Sequence, residues 1–166
     1  MTATYDCIAT TTLGSNQPSI SFTSISSAFT DLVLIVQLKS SDVDGFAPRL
    51  RFNNDSGNNY SWTRLSGNGS AASSARVSNT STINIGSSAN VYLASGFIGI
   101  VNIQNYANTT TYKTAINRGN NATDGTEAIV GLWRDTSAIN RVDIVNTSSA
   151  NFATGSIATL YGIKAE

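Results

Sequence analysis

The chain has 166 residues, 40% of them hydrophobic and 12% charged, with 10 basic and 10 acidic side chains and a formal net charge of zero. That length suits one domain with a single sizeable core, and the charge balance argues against both the electrostatic footprint of a nucleic-acid binder and a polybasic membrane patch. With no histidine and one cysteine, Cys7, the usual zinc and copper ligand sets cannot be assembled and no intrachain disulfide can form.

Cys7 itself reads as a small buried hydrophobe. Polarity comes mainly from Ser, Thr and Asn, which favour turns and half-exposed strands, and a surface this poor in charge suits a protein that lives packed against others. The first six residues carry neither a basic n-region nor an apolar h-region, and the longest apolar run, 32–36, is too short to span a bilayer. The expectation is synthesis in a cytoplasm without signal-peptide export, and no membrane partner.

In chain order, 1–12 is expected to form an N-terminal arm or first strand and 13–166 a single domain. Ile20 and Phe22 then alternate with Ser19, Ser21 and Thr23. Leu32, Leu34, Val36 and Leu38 share one face of a strand whose other face carries Val33, Ile35, Gln37 and Lys39, so its start is apolar on both sides. Strands follow at 49–53 and 60–65. The Ser/Ala/Gly-rich stretch 66–81 offers almost no core residues and reads as a long loop or an edge excursion. The longest apolar strand, 96–106, sets Phe97, Val101 and Ile103 against Ile98, Ile100 and Tyr106 on its two faces and belongs in the middle of a sheet. Strands at 110–117, 128–133, 139–145 and 157–163 complete the series.

Turn signals such as Asp44-Gly45, Ser56-Gly57, Asn68-Gly69 and Asp124-Gly125 separate these segments. About nine or ten strands so punctuated, with no apolar spacing of helical period, predict an all-β antiparallel β-sandwich of jelly-roll type. At most one short helical turn is expected, around 26–30 or 137–140.

The chemistry-bearing residues are sparse. No nucleophile–histidine pair, nucleophile elbow or phosphate loop occurs, so no catalytic residue, cofactor or metal is expected and the protein reads as a non-enzyme. Asp124, Glu127, Asp135 and Asp143 could converge as glycoside-hydrolase carboxylates do, but sequence does not set their separation. Asp42-Val43-Asp44-Gly45 lacks the further ligands of a calcium loop and reads as a turn. Trp62 and Trp133 sit in alternating strands and read as core; Tyr60 and Trp62, with Asn58 and Asn59, form a sugar-stacking platform only if exposed. Arg49 and Arg51 alternate on one solvated strand face, while Arg118, Arg134 and Arg141 lie at strand ends. From such positions guanidinium forks can pair with carboxylates of a neighbouring subunit. Tyr5, in the arm, is a further candidate contact.

One pattern extends over nearly the whole chain. Tyr60-x-Trp62, the run Ile103-Gln104-Asn105-Tyr106-Ala107-Asn108 followed by Lys113-Thr114, then Gly131-Leu132-Trp133, Ala138-Ile139, Phe152-Ala153-Thr154-Gly155-Ser156 and Leu160-Tyr161-Gly162-Ile163 resemble a β-sandwich domain recurrent in structural proteins of tailed bacteriophages. The resemblance implies a role in the virion without catalysis, as a capsid decoration (cement) protein or in a fibre or spike, commonly as a homotrimer. The major capsid protein would then be the partner and the capsid surface the location. The alternative is a small tail-fibre or receptor-binding component with affinity for a glycan. With the first strand expected within about ten residues of Met1, no fibre anchor is expected, and decoration is the favoured expectation. Such a protein lowers the free energy of the shell by bridging subunits, through interfaces of roughly 800 Å² per partner multiplied by multivalent attachment.

Overall fold

The computed structural model describes residues 4–86 and 90–164. Twelve strands are found among them: β1 (Tyr5–Thr12), β2 (Ser19–Phe22), β3 (Asp31–Leu38), β4 (Arg49–Phe52), β5 (Tyr60–Gly67), β6 (Ala72–Thr80), β7 (Ile83–Asn84), β8 (Phe97–Gln104), β9 (Lys113–Asn121), β10 (Gly125–Trp133), β11 (Val142–Val145) and β12 (Ile157–Ile163). They form two antiparallel sheets, one of eight strands in the order β1-β12-β3-β8-β9-β10-β5-β6 and one of four in the order β2-β11-β4-β7. With the hairpins β5–β6 and β9–β10 set aside, the remaining strands stand as β1-β12-β3-β8 over β2-β11-β4-β7, the arrangement of a jelly roll. The two hairpins widen the larger sheet on one side only.

Alternation decides which residues the sandwich encloses. From the larger sheet Leu32, Leu34, Val36, Leu38, Phe97, Val101, Ile103, Ile129, Trp133 and Leu160 point inward; from the smaller come Ile20, Phe22, Leu50, Phe52, Ile83, Val142 and Ile144, and all are buried. Aromatic rings cross the gap: Trp133 lies 5.7 Å from Phe52 and stacks on Tyr60 at 6.2 Å, and Phe46 meets Phe152 edge-on at 5.1 Å.

Several expectations need correction. Of the two readings of 66–81, a long loop or an edge excursion, the second holds: the stretch closes β5 and supplies β6, an edge strand exposed along most of its length. The ninth strand begins at Lys113, not 110, and β11 is confined to Val142–Val145, because Ile139 gives its amide to the Tyr106 carbonyl instead of to a ladder. Tyr106 does not share a face with Ile98 and Ile100; Asn105, in the left-handed region at φ 49°, turns the chain after β8 so that Tyr106 falls back into the core. The segments 26–30 and 137–140 are bends and irregular backbone, without a helical turn. Cys7 is exposed, because β1 is an edge strand and Cys7 shares its outward face with Tyr5. Residues 5–12 of the expected arm are the strand paired with β12, and residues 1–3 lie outside the described ones.

Candidate functional site: the arginine face of the smaller sheet

The candidate residues divide between those drawn into the core and those left on a surface. Tyr60 is fully buried; its hydroxyl lies 3.2 Å from the carbonyl oxygens of both Phe52 and Asp55 and accepts from the Phe52 amide at 3.1 Å. Burial pushes that hydroxyl's pKa well above its ordinary value. Trp62 is buried two residues further along β5, opposite Val77 of β6. Both point between the sheets because they occupy alternate positions of one strand, so neither offers a ring face to a sugar, and the glycan platform drawn from Tyr60 and Trp62 is not formed. Tyr5 is exposed on the outer side of β1, its ring edge-on to Tyr161 at 6.5 Å.

The carboxylates do not converge on a reaction centre. Asp124 accepts from the Asn90 amide at 3.0 Å, Asp135 from the Ser137 amide at 2.7 Å, Glu127 lies 4.0 Å from Arg64, and Asp143 is held by Arg141. Among the described residues no group of three or more acidic or cysteine side chains is placed to hold a metal ion. Two of the arginines proposed for inter-subunit pairing are committed within the chain. Arg134 donates to the Asn58 carbonyl at 2.8 Å and to Asn79 Oδ1 at 3.0 Å, and Arg141 Nε donates to both oxygens of Asp143, at 2.8 and 2.9 Å.

Arg49 and Arg51 behave differently. On β4, Leu50 and Phe52 point inward, so the two arginines occupy the outward positions between them. In register, Arg51 faces Asp143 of β11, which in turn faces Ser21 of β2; Arg49 faces Val145 on one side and Asn84 of β7 on the other. Ser21 donates its hydroxyl to Asp143 at 2.6 Å, completing a buried carboxylate held by Arg141 and Ser21 together. The outer face of the smaller sheet thus carries three guanidinium groups, of Arg49, Arg51 and Arg141, around the Asp143 carboxylate, with the Asp55 carboxylate also within electrostatic reach of Arg51.

The positive excess is partly desolvated and incompletely paired. Nε of Arg49 and Nε of Arg51 are buried yet find no acceptor among the described residues, and the Oδ1 of Asn84, a side chain almost wholly buried beside Arg49, finds no donor. Burial lowers the pKa of the Arg49 guanidinium from its ordinary value, although arginine stays protonated. A charged donor held out of water without an acceptor is costly, and a carboxylate brought in by another molecule would satisfy the fork in the plane that guanidinium favours. Ser21 and Asn84 escape a reading of the sequence, and Asp143 enters it only as one of four carboxylates, because only the strand register brings the three beside Arg49 and Arg51.

No protein-family model, curated protein or solved structure matches this chain.

Proposed function

We propose that this protein is a structural component of a bacteriophage particle, a decoration protein that sits on the outside of the shell and bridges major capsid subunits. The observation that carries the reading is the pair Arg49 and Arg51 on the outer face of the smaller sheet, whose buried Nε atoms have no acceptor among the described residues while both side chains stay partly exposed. The motifs from Tyr60 to Ile163 that resemble phage β-sandwich proteins supply the particle. The face fits a carboxylate-bearing segment of a capsid subunit, each charge-assisted hydrogen bond contributing on the order of 1.5–3 kcal/mol. The glycan-binding alternative has no aromatic pair left to rest on, since Tyr60 and Trp62 are buried.

The test is the copy number of the chain in purified particles, measured by mass spectrometry against the major capsid protein. Hundreds of copies in a simple ratio support decoration; a few dozen move the protein to tail or fibres, and absence from particles ends the virion reading. Particles stripped of the protein and re-bound with an Arg49→Gln/Arg51→Gln variant then probe the face itself. Binding about 10-fold or more weaker than that of the unaltered chain is expected, and unchanged binding removes these residues from the contact.

A further inference from the structure

The tip of the β5–β6 hairpin combines three features that make one side chain chemically unstable. Asn68 and Gly69 are both exposed there, and they form the only Asn-Gly pair of the sequence. Gly69 lies in the left-handed region at φ 85°, and apart from its chain neighbours no atom stands within 4 Å of the place a β-carbon would take. Its main-chain nitrogen is therefore unshielded, and it donates no hydrogen bond among the described residues. The Asn68 side-chain oxygen accepts from the main-chain amides of Ser70 at 3.0 Å and Ala71 at 2.8 Å, while its Nδ2 has no partner among the described residues.

That pair of donors is what an oxyanion hole supplies. When a nucleophile adds to the Asn68 Cγ, the side-chain oxygen takes up negative charge, and two amides already aimed at it stabilise that charge without reorganisation. The Gly69 nitrogen, next along the chain, closes a succinimide ring with Cγ. We propose that Asn68 is a self-modifying site that deamidates through this ring. The Gly69 nitrogen gives its proton to hydroxide and bonds to Cγ; the Cγ–Nδ2 bond breaks, and Nδ2 leaves as ammonia with a proton from water. Water then opens the ring at either carbonyl, so asparagine and water become aspartate or isoaspartate and ammonia, with solvent as the sole co-reactant. Asn108 provides the contrast within the chain. Its Oδ1 accepts from the amides of Thr110 at 2.7 Å and Thr111 at 2.9 Å, the same arrangement, but the residue after it is Thr109, whose branched β-carbon crowds the nitrogen. The consequence falls on β6. Asn68 and Asp124 line one depression, so the product acid stands near a second carboxylate. Isoaspartate also adds a main-chain carbon to a turn that the Asn68 amide closes on the Ala71 carbonyl at 3.2 Å. The inference concerns the chain alone and does not depend on the virion reading.

Incubation of the purified protein at about pH 8.5 and about 37 °C, followed by mass spectrometry of its proteolytic peptides, tests this without any substitution. The peptide holding Asn68 should gain about 1 Da and divide into two species of that mass, aspartyl and isoaspartyl, at least about 10-fold faster than any change at Asn108. An Asn68 peptide that stays intact, or that converts no faster than Asn108, overturns the proposal. Repeating the incubation in guanidinium chloride removes the folded turn, so that the Ser70 and Ala71 amides no longer point at Oδ1. Conversion several-fold slower than in the folded chain is expected, and conversion as fast or faster overturns the role given to those amides. Thr109→Gly, at an exposed position and checked for folding by the near-ultraviolet circular dichroism of the buried aromatics, should bring Asn108 to a rate like that of Asn68. A folded variant in which Asn108 stays inert overturns the role given to the unshielded nitrogen. In the aged protein the β6 amides should exchange faster than in fresh protein, and unchanged exchange overturns the effect on the edge strand.

Discussion

Asp55 shows how much a single turn residue can hold. Its carboxylate accepts from Trp133 Nε1 at 2.7 Å, from Asn59 Nδ2 at 2.9 Å and from the Gly57 amide at 2.8 Å, tying the loop between β4 and β5 to the largest core side chain. Partial burial works against the charge, but the bonds from Asn59, Trp133 and Gly57, with Arg51 nearby, hold the carboxyl below its ordinary value of 3.8. A carboxyl depressed in the folded state contributes stability that is complete above the unfolded value and fades as the pH falls through the lower folded one. Asp55→Ala should therefore cost about 1–3 kcal/mol at neutral pH by leaving the Trp133 donor unpaired. The difference from the wild type should shrink below about pH 4; urea titrations at pH 7 and pH 3 check both.

Asp143→Ala should cost about 2 kcal/mol, since it strands Arg141 and Ser21 at a buried position, and thermal unfolding reads it directly. Gly162 tolerates still less: a β-carbon there would sit 2.3 Å from the Phe29 ring. Gly162→Val should lower stability by about 1–3 kcal/mol through overpacking. At this scale the sequence is most legible where a residue's role is local. Gly155 stands out as a turn residue and is one, at φ 83°. Tyr60 and Trp62 could be read either way, because the same alternation that buries a strand aromatic exposes it if the register slips by one.

Strands were the readable elements. Period-two alternation marks β2, β3, β8 and β12 because each packs one face against the other sheet, and the middle position expected of the 96–106 strand agrees with β8 lying fourth of eight. What the pattern did not reveal has a physical reason in each case. At two residues, β7 is too short to show a period. In β6, Ser, Ala and Asn alternate with nothing to bury, since the strand extends the sheet at its edge and is exposed along most of its length. Such a strand is the least protected part of the sheet. In hydrogen exchange at neutral pH, the β6 amides should lose protection well before those of β8, whose neighbours β3 and β9 bond it on both sides. Equal protection of the two would mean that β6 is covered in solution by a molecule absent from the single chain.

At the scale of the molecule, the sandwich presents two unlike outer faces, one aliphatic and almost uncharged, where Ile35, Ile98, Ile116, Val130 and Leu65 stay exposed, the other carrying Arg49, Arg51 and Arg141. Attachment through the arginine face should weaken as chloride screens it, the screening length being about 10 Å at 0.1 M. Particle-binding assays over a salt series check this. Neither face was legible as a whole. Arg49 and Arg51 could be named as outward residues of one strand, but their unsatisfied state depends on β11 and β7 arriving alongside. The aliphatic face is split among five strands that look, one at a time, like ordinary half-buried segments.

The pairing of β1 with β12 has a practical side. Tyr5 stands opposite Ile163, and the Lys164 amide donates to the Thr4 carbonyl at 3.1 Å, so the two ends of the described chain leave the sandwich at one corner. Chain leading away from Thr4 and from Lys164 therefore departs from neighbouring points at the rim of the larger sheet. A circular permutant that joins these ends through a short glycine linker and opens the chain at the exposed 68–70 turn should keep every sheet intact.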